Sequence, residues 1–105
     1  MNELNETIHQ PVRLRIMAAL TALKPNEEVD FTYLRGLLDV TDGNLGAHLR
    51  KLEDAGYIAV NKVFVERKPR TFIAVTTAGR QVFKAHTEAL KVILNSGRKK
   101  GGQNG

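Results

Sequence analysis

The segment of residues 42–55 contains a basic pair, Arg50 and Lys51, among side chains whose types and spacing suit contacts with nucleic acid bases. In a helix at 100° per residue its leucines share one side, which seats it on neighbouring elements. Asparagine can pair with adenine through two hydrogen bonds, and lysine can reach guanine O6 and N7. An ordinary amphipathic helix with a solvated outer face fits the same pattern. The side opposite the leucines is predicted to present Asn44, Ala47, His48 and Lys51, with Arg50 and Gly46 towards the flank.

A second basic cluster, residues 66–70 (ERKPR), separates two segments with strand-like alternation, residues 57–65 and 71–75. It is predicted to form the tip of a β-hairpin. Basic side chains at such a tip can contact phosphates, or the minor groove through arginine. A tip that is charged only for solvation is the alternative. The predicted contact residues at the tip are Arg67, Lys68 and Arg70.

Two helices are predicted to precede the basic segment. Pro11 suits the first turn of a helix because its missing N–H costs nothing there, and an apolar stripe follows as far as Leu23. A short extended segment around Val29 comes next. Thr32 is predicted to cap the second helix. The residues of that helix predicted to face inward are Leu34, Leu37 and Leu38.

A tight turn at residues 39–40 is predicted to join the second helix to the basic one. Thr41 is a suitable N-cap for the basic helix, and Gly56 is a suitable terminator. After the hairpin, Thr76 or Thr77 can cap a last helix with a long apolar face. This order of elements is that of a winged helix-turn-helix, in which the hairpin contacts DNA beside the inserted helix.

Charge and composition narrow the class of protein. The 105 residues suit one domain with a modest core. Residues 1–30 carry three basic and five acidic side chains, a net charge of −2, whereas residues 31–105 carry thirteen and six, a net charge of +7. The positive half contains both basic clusters, as expected for binding a polyanion, although a basic surface that aids solubility fits equally well.

Several function classes fit the chain poorly. Its apolar runs are far shorter than the roughly 20 residues that span a bilayer, and its polar, acidic N-terminus is unlike a signal peptide, so a cytoplasmic location is expected. It has no cysteine, and its three histidines are scattered. No glycine-rich phosphate loop follows a strand, and Ser96 is the only serine. We therefore expect no enzyme activity, no cofactor and no metal site.

The run LRGLLDVTDGNLGAHLRKLEDAGYI, with the hairpin and the helix start TTAGRQVF, resembles small stand-alone winged-helix transcriptional regulators related to the MarR and ArsR families. The resemblance extends from about residue 8 to residue 94. It implies an α+β, mostly α fold: a winged helix-turn-helix with a two- to three-stranded antiparallel wing and a C-terminal dimerisation helix. Residues 42–55 then form the recognition helix, with Thr41 among the DNA contacts, and residues 65–71 form the wing.

The resemblance also implies a homodimer that binds double-stranded DNA at a pseudo-palindromic operator, most commonly as a repressor. Dimers of this class pair through the first and last helices. Residues 1–94 are accordingly expected to form the DNA-binding domain with its dimer interface, and residues 95–105 a flexible basic tail. The operator, the target genes, the direction of regulation and any effector stay open. The candidate interface residues, some of which also suit the core, are Ile16, Leu20, Phe83, Leu90, Ile93 and Leu94.

A winged helix that mediates protein–protein assembly without binding DNA is the main alternative. Such modules often lose charge on the recognition face, whereas both clusters of this chain are basic. RNA or single-strand binding is a weaker alternative, because it favours aromatic platforms. The chain has two tyrosines and four phenylalanines, and Phe64 and Phe72 are expected to pack beneath the hairpin.

Overall fold

The computed structural model describes the backbone of residues 4–104 and the side chains of residues 4–97. Within them the protein is mostly helical, as the sequence predicts. No helix in that part of the chain is both long and apolar enough to cross a membrane. The elements are α1 (Pro11–Thr21), β1 (Val29–Asp30), α2 (Phe31–Leu38), α3 (Asp42–Asp54), β2 (Ile58–Val65), β3 (Lys68–Val75) and α4 (Thr77–Asn104).

The strands form an antiparallel sheet in the order β1-β3-β2. Only Glu66 and Arg67 join β2 to β3, and both have a positive φ, 52° and 68°. Two-residue turns with positive φ match the right-handed twist of the flanking strands. The predicted tip at residues 66–70 is therefore too long, and Pro69 and Arg70 belong to β3. Proline is tolerated there because β1 pairs only with the far end of β3, which leaves an open edge.

The core lies where α1, α2 and α3 pack against the sheet. Leu34 and Leu38 of α2 are buried, but Leu37, predicted to face inward, is 52% exposed. Leu34 and Leu38 lie about 40° apart around the helix, whereas Leu37 lies about 100° from Leu38. The predicted cap is also wrong, because the carboxylate of Asp30 accepts the N–H of Thr32 at 2.7 Å. The buried apolar side chains of this core are Ile8, Ile16, Met17, Leu20, Leu34, Leu38, Leu45, Leu49, Leu52, Ile58 and Ile73.

Hydrogen bonds of Thr76 connect the start of α4 to the start of the hairpin. Thr76 also caps α4, which confirms one of the two predicted N-caps. Its hydroxyl donates to the carbonyl of Gly56 at 2.7 Å and accepts the N–H of Gly79 at 2.9 Å. Its own N–H donates to the carbonyl of Tyr57 at 3.1 Å. Gly56 has a φ of 83°, the left-handed conformation that favours glycine after a helix. Gly79 is buried so close to Tyr57 that a side chain there would overlap the Tyr57 carbonyl.

α4 packs along α1 and then leaves the body of the protein. The guanidinium of Arg80 donates to the carbonyls of Thr21 at 3.1 Å and Leu23 at 2.9 Å, which satisfies the C-terminal end of α1. All side chains of residues 91–97 are exposed. The helix continues to Asn104, whereas the sequence predicts a tail from residue 95. No proline interrupts this stretch, although its three glycines, Gly97, Gly101 and Gly102, are weak helix formers.

A histidine pair ties the N-terminal segment to α4. His86 is 1% exposed, and its Nδ1 accepts the backbone N–H of Asn5 at 3.1 Å. The proton of its neutral ring is therefore on Nε2, which lies 3.4 Å from Nδ1 of His9. The side-chain amide of Asn5 also donates to the Tyr57 hydroxyl at 3.0 Å. Burial, followed by the charge of His9, lowers the pKa of His86 and so favours its neutral form.

We expect the free energy of unfolding to fall as the pH drops below the ordinary histidine pKa of 6.5. In the unfolded chain His86 takes up its proton near that value, whereas in the folded chain it does so only at a lower pH. Protons therefore favour the unfolded chain in this window, and the stability present above it is lost as the pH falls. Urea unfolding from about pH 7.5 to about pH 5.5 measures the effect.

The control for this prediction is His86→Gln, whose side-chain oxygen can accept the same N–H from Asn5. The variant should have a flatter dependence of stability on pH than the wild type. Equal pH dependence in the two proteins would contradict the role assigned to His86.

Candidate nucleic-acid interface

α2 and α3 form a helix-turn-helix whose geometry is set by local contacts. Asp39 ends α2 in the left-handed conformation, with φ 54° and ψ 55°, and its N–H donates to the carbonyl of Arg35. Thr41 caps α3 by accepting the N–H of Asn44 at 3.1 Å, as predicted. Across the turn, Nη1 of Arg35 lies 2.7 Å from Oδ1 of Asp42. An exposed pair of this kind adds little stability, but together with the two caps it orients α3.

The outer face of α3 is polar, with Arg50 and Lys51 partly offset by Asp54, and its centre differs from the prediction. The direction opposite the three buried leucines falls near Ala47. Arg50 and Lys51 lie about 50° to either side of it, so Arg50 belongs to the outer face and not to the flank. Asn44 lies further round on the Lys51 side. The exposed residues of the cap and helix are Thr41, Asp42, Gly43, Asn44, Ala47, Arg50, Lys51, Glu53 and Asp54.

His48 lies at the edge of this outer face and not within it. It is only about 40° from Leu52 around the helix, and its side chain is half-buried. Burial lowers the pKa of His48, and the positive charge of Arg13 in α1 lowers it further. A neutral imidazole at this edge can donate or accept a hydrogen bond but brings no charge. Sequence analysis missed Arg13, because its approach to α3 depends on how the helices pack.

A cleft of about 290 Å³ separates α3 from the hairpin. Arg50 lies on the helix side and Lys62 on the β2 side, while Glu53 reduces the positive potential between them. Two basic groups across an open cleft can hold a phosphate. Lys62 lies two residues after Val60 along β2, so the alternation of side chains along the strand places both on the face that lines the cleft. The lining residues are Phe31, Gly46, Leu49, Arg50, Glu53, Val60, Lys62 and Thr71.

Arg67 and Lys68 are exposed at the end of the hairpin, and Arg70, which is also exposed, bonds to β1. The guanidinium of Arg70 donates to the carboxylate of Asp30 in β1 and lies 5.5 Å from the centre of the Phe72 ring. The hydrogen bond from Arg70 is the main reason why the pKa of Asp30 is lowered. The prediction that Arg70 lies at the tip is wrong, since it lies in β3 and joins β1 to β3, but its contact with DNA stays a prediction.

The candidate dimer contacts divide between core and surface. Ile16 and Leu20 of α1 are fully buried within one chain, so the prediction that they contact a second chain is wrong. Phe83 and Leu90 are half-buried on α4. The apolar side chains exposed near the projecting end of α4 are Val92, Ile93 and Leu94, with 54%, 53% and 65% of their surface accessible.

Residues 12–94 match the family of winged helix DNA-binding domains. An uncharacterised protein of Methanocaldococcus jannaschii is 41% identical over 73 residues, which are 70% of this chain and 76% of that protein. The structure of a transcriptional regulator homologue from Pyrococcus horikoshii OT3 is similar with a TM-score of 0.79 and 34% identity over 88% of each chain. A protein described as a regulator of the MarR family, from Enterococcus faecalis V583, gives 0.73 and 24% over 90% of this chain and 83% of its own. At that identity the likeness concerns the fold.

Proposed function

The chain belongs to the family of winged helix DNA-binding domains, and from this premise we propose that it is a homodimeric, sequence-specific repressor of transcription. Its family and fold are those of transcriptional regulators and not of enzymes. In the proposal α3 enters the major groove, which is about 12 Å wide. The hairpin, the wing of this fold, lies on the adjacent backbone and minor groove.

The arrangement of basic side chains carries the proposal. Arg50 and Lys51 project from α3, Lys62 lies across the cleft, and Arg67 and Lys68 occupy the end of the wing. These five cations run from the helix, past the cleft, to the wing, and a DNA backbone can follow the same course. Contacts with phosphates of this kind position a protein on DNA, while the outer face of α3 contacts the base edges.

The exposed apolar end of α4 supports the dimer. Leu90 and Leu94 continue, at helical spacing, the stripe that begins at Phe83, and Leu94 lies beyond the body of the protein. A second copy of the helix would cover these side chains in a two-fold interface. The two α3 helices would then lie about 34 Å apart, one turn of DNA, on a pseudo-palindromic operator. Occupancy of an operator that overlaps a promoter is sufficient for repression.

We expect Asn44→Ala and Arg67→Ala to weaken DNA binding in different ways. Arg67→Ala should weaken binding to all sequences alike and make the slope of log K against log salt about 0.9 less negative, because one phosphate contact is lost. Asn44→Ala should leave that slope unchanged and reduce discrimination against altered operators by roughly 1–3 kcal/mol. Fluorescence anisotropy with DNA from upstream of the protein's own gene, over a salt series, measures both quantities.

Lys84→Ala, which removes an exposed cation from α4, is the control for loss of charge outside the interface. If the wild-type protein shows no salt-dependent binding, the DNA-binding function is refuted. If Asn44→Ala keeps the full sequence preference, the role of this residue in base contacts is refuted. Repression itself is tested with a reporter behind the bound promoter, whose transcription should rise when the protein is deleted.

A further inference from the structure

Phe64 is an aromatic side chain with no place in the core. It was expected to pack beneath the hairpin, yet 78% of its surface is exposed. Its cross-strand partner in the register is Pro69. Along β2 it lies on the same face as Val60 and Lys62, which line the cleft beside α3. Phe64 and Pro69 therefore extend the α3 side of the sheet beyond the end of the cleft.

The hairpin positions the Phe64 ring next to its tight turn. The turn at Glu66 and Arg67 begins two residues after Phe64, and its two positive φ values define a tight two-residue connection. Pro69, directly opposite the ring, has a restricted φ and no N–H. Val65, the neighbouring apolar residue, points to the other face of the sheet and is 39% exposed. The aromatic ring is thus presented on one defined side of the wing.

The surrounding charge indicates what the ring contacts. Arg67 and Lys68 outnumber Glu66 at the end of the wing, and Lys62 continues the positive charge towards α3. A protein partner with an apolar pocket would match this cationic margin only if its rim were acidic. The minor groove of DNA has phosphates along both edges and sugars and base edges inside, and proteins insert phenylalanine or proline between base steps there.

We propose that Phe64, supported by Pro69, is an apolar wedge that enters the minor groove beside the major groove occupied by α3 and partly unstacks one base step. The proposal rests on the DNA-binding function proposed above and adds a second means of selecting sequence. Pyrimidine–purine steps such as TA unstack most easily. The operator should therefore carry such a step where the wing lies, although no side chain forms a hydrogen bond with it.

The test compares the wild type with Phe64→Ala and with Val65→Ala, which trims the exposed apolar residue on the opposite face. The duplex carries the operator, with 2-aminopurine at the TA step that the wing protects in footprints and a fluorophore pair at its ends. The wild type and Val65→Ala should raise the 2-aminopurine fluorescence and bend the DNA by roughly 20° or more. Phe64→Ala should do neither, and its affinity should fall by about tenfold.

The salt slope separates the wedge from a charge effect. Phe64→Ala should keep the wild-type slope, because no phosphate contact is lost, and circular dichroism checks that the fold is retained. Wild-type protein that binds DNA without unstacking or bending it overturns the wedge and leaves DNA binding intact. The same conclusion follows if Phe64→Ala bends DNA like the wild type. No salt-dependent binding by the wild type overturns the proposed function, and the wedge with it.

Discussion

Gly79→Ala is expected to destabilise the protein by about 3 kcal/mol or more, a large part of the stability of a small domain. The added methyl group would overlap the backbone carbonyl of Tyr57 and approach Cγ2 of Val75 to 2.9 Å. Neither neighbour can move freely, because the Tyr57 carbonyl accepts the N–H of Thr76 and Val75 pairs with Ile58 in the sheet. Thermal unfolding should show a Tm lower by roughly 12 °C or more.

Gly36→Ala is the matched control for this prediction. Gly36 lies in α2, and a Cβ there would meet nothing within 4 Å among the described atoms. Alanine is a better helix former than glycine, so this variant should gain roughly 0.5–1 kcal/mol. Equal stability of Gly79→Ala and the wild type would show that the start of α4 does not approach Tyr57 as closely as described.

Leu94→Glu is expected to convert the proposed homodimer into monomers and to weaken operator binding by about 100-fold or more. The side chain is 65% exposed, so the fold of one chain should tolerate the change. In the proposed interface, however, the carboxylate would be buried against apolar groups of the second copy without a partner. Loss of the dimer removes the high effective concentration of the second recognition helix at its half-site.

Light scattering coupled to gel filtration measures the mass, and anisotropy compares binding to the full operator and to one half-site. The control is Ala85→Glu, which adds the same charge at an exposed position on the opposite side of α4, nine residues away. Ala85→Glu should stay dimeric and bind the full operator normally. A Leu94→Glu protein that remains dimeric would place the interface elsewhere.

The effects expected at Gly79 and at Leu94 depend on features of the protein that can be predicted from its sequence to different extents. The caps at Thr41 and Thr76 and the terminator at Gly56 were predicted correctly, because each depends on hydrogen bonds or backbone angles within a few residues. The motif TTAGRQVF, which contains Gly79, could be recognised in the sequence, but the reason why position 79 requires glycine could not be predicted from it. The approach of Gly79 to Tyr57 joins positions 22 residues apart and exists only when the hairpin and α4 have packed together.

Residue roles that rest on distant partners were the ones predicted wrongly. Arg70 was predicted at the tip of the hairpin, whereas it lies in β3 and pairs with Asp30, 40 positions earlier in the chain. Ile16 has the same apolar character as Ile93, yet the first is fully buried and the second is 53% exposed. Periodicity shows that a helix has an apolar side, but not whether its own chain or another covers that side.

The order of the helices and strands and the winged helix class could therefore be predicted from the amino-acid sequence, since they follow from local capping and periodicity. The tertiary structure determines which of the basic and apolar side chains are paired, buried or exposed. It pairs Arg70 with Asp30, places Lys62 across the cleft and leaves Phe64 exposed at the wing. These outcomes depend on which elements meet and at what angle, and that information is distributed over the whole chain.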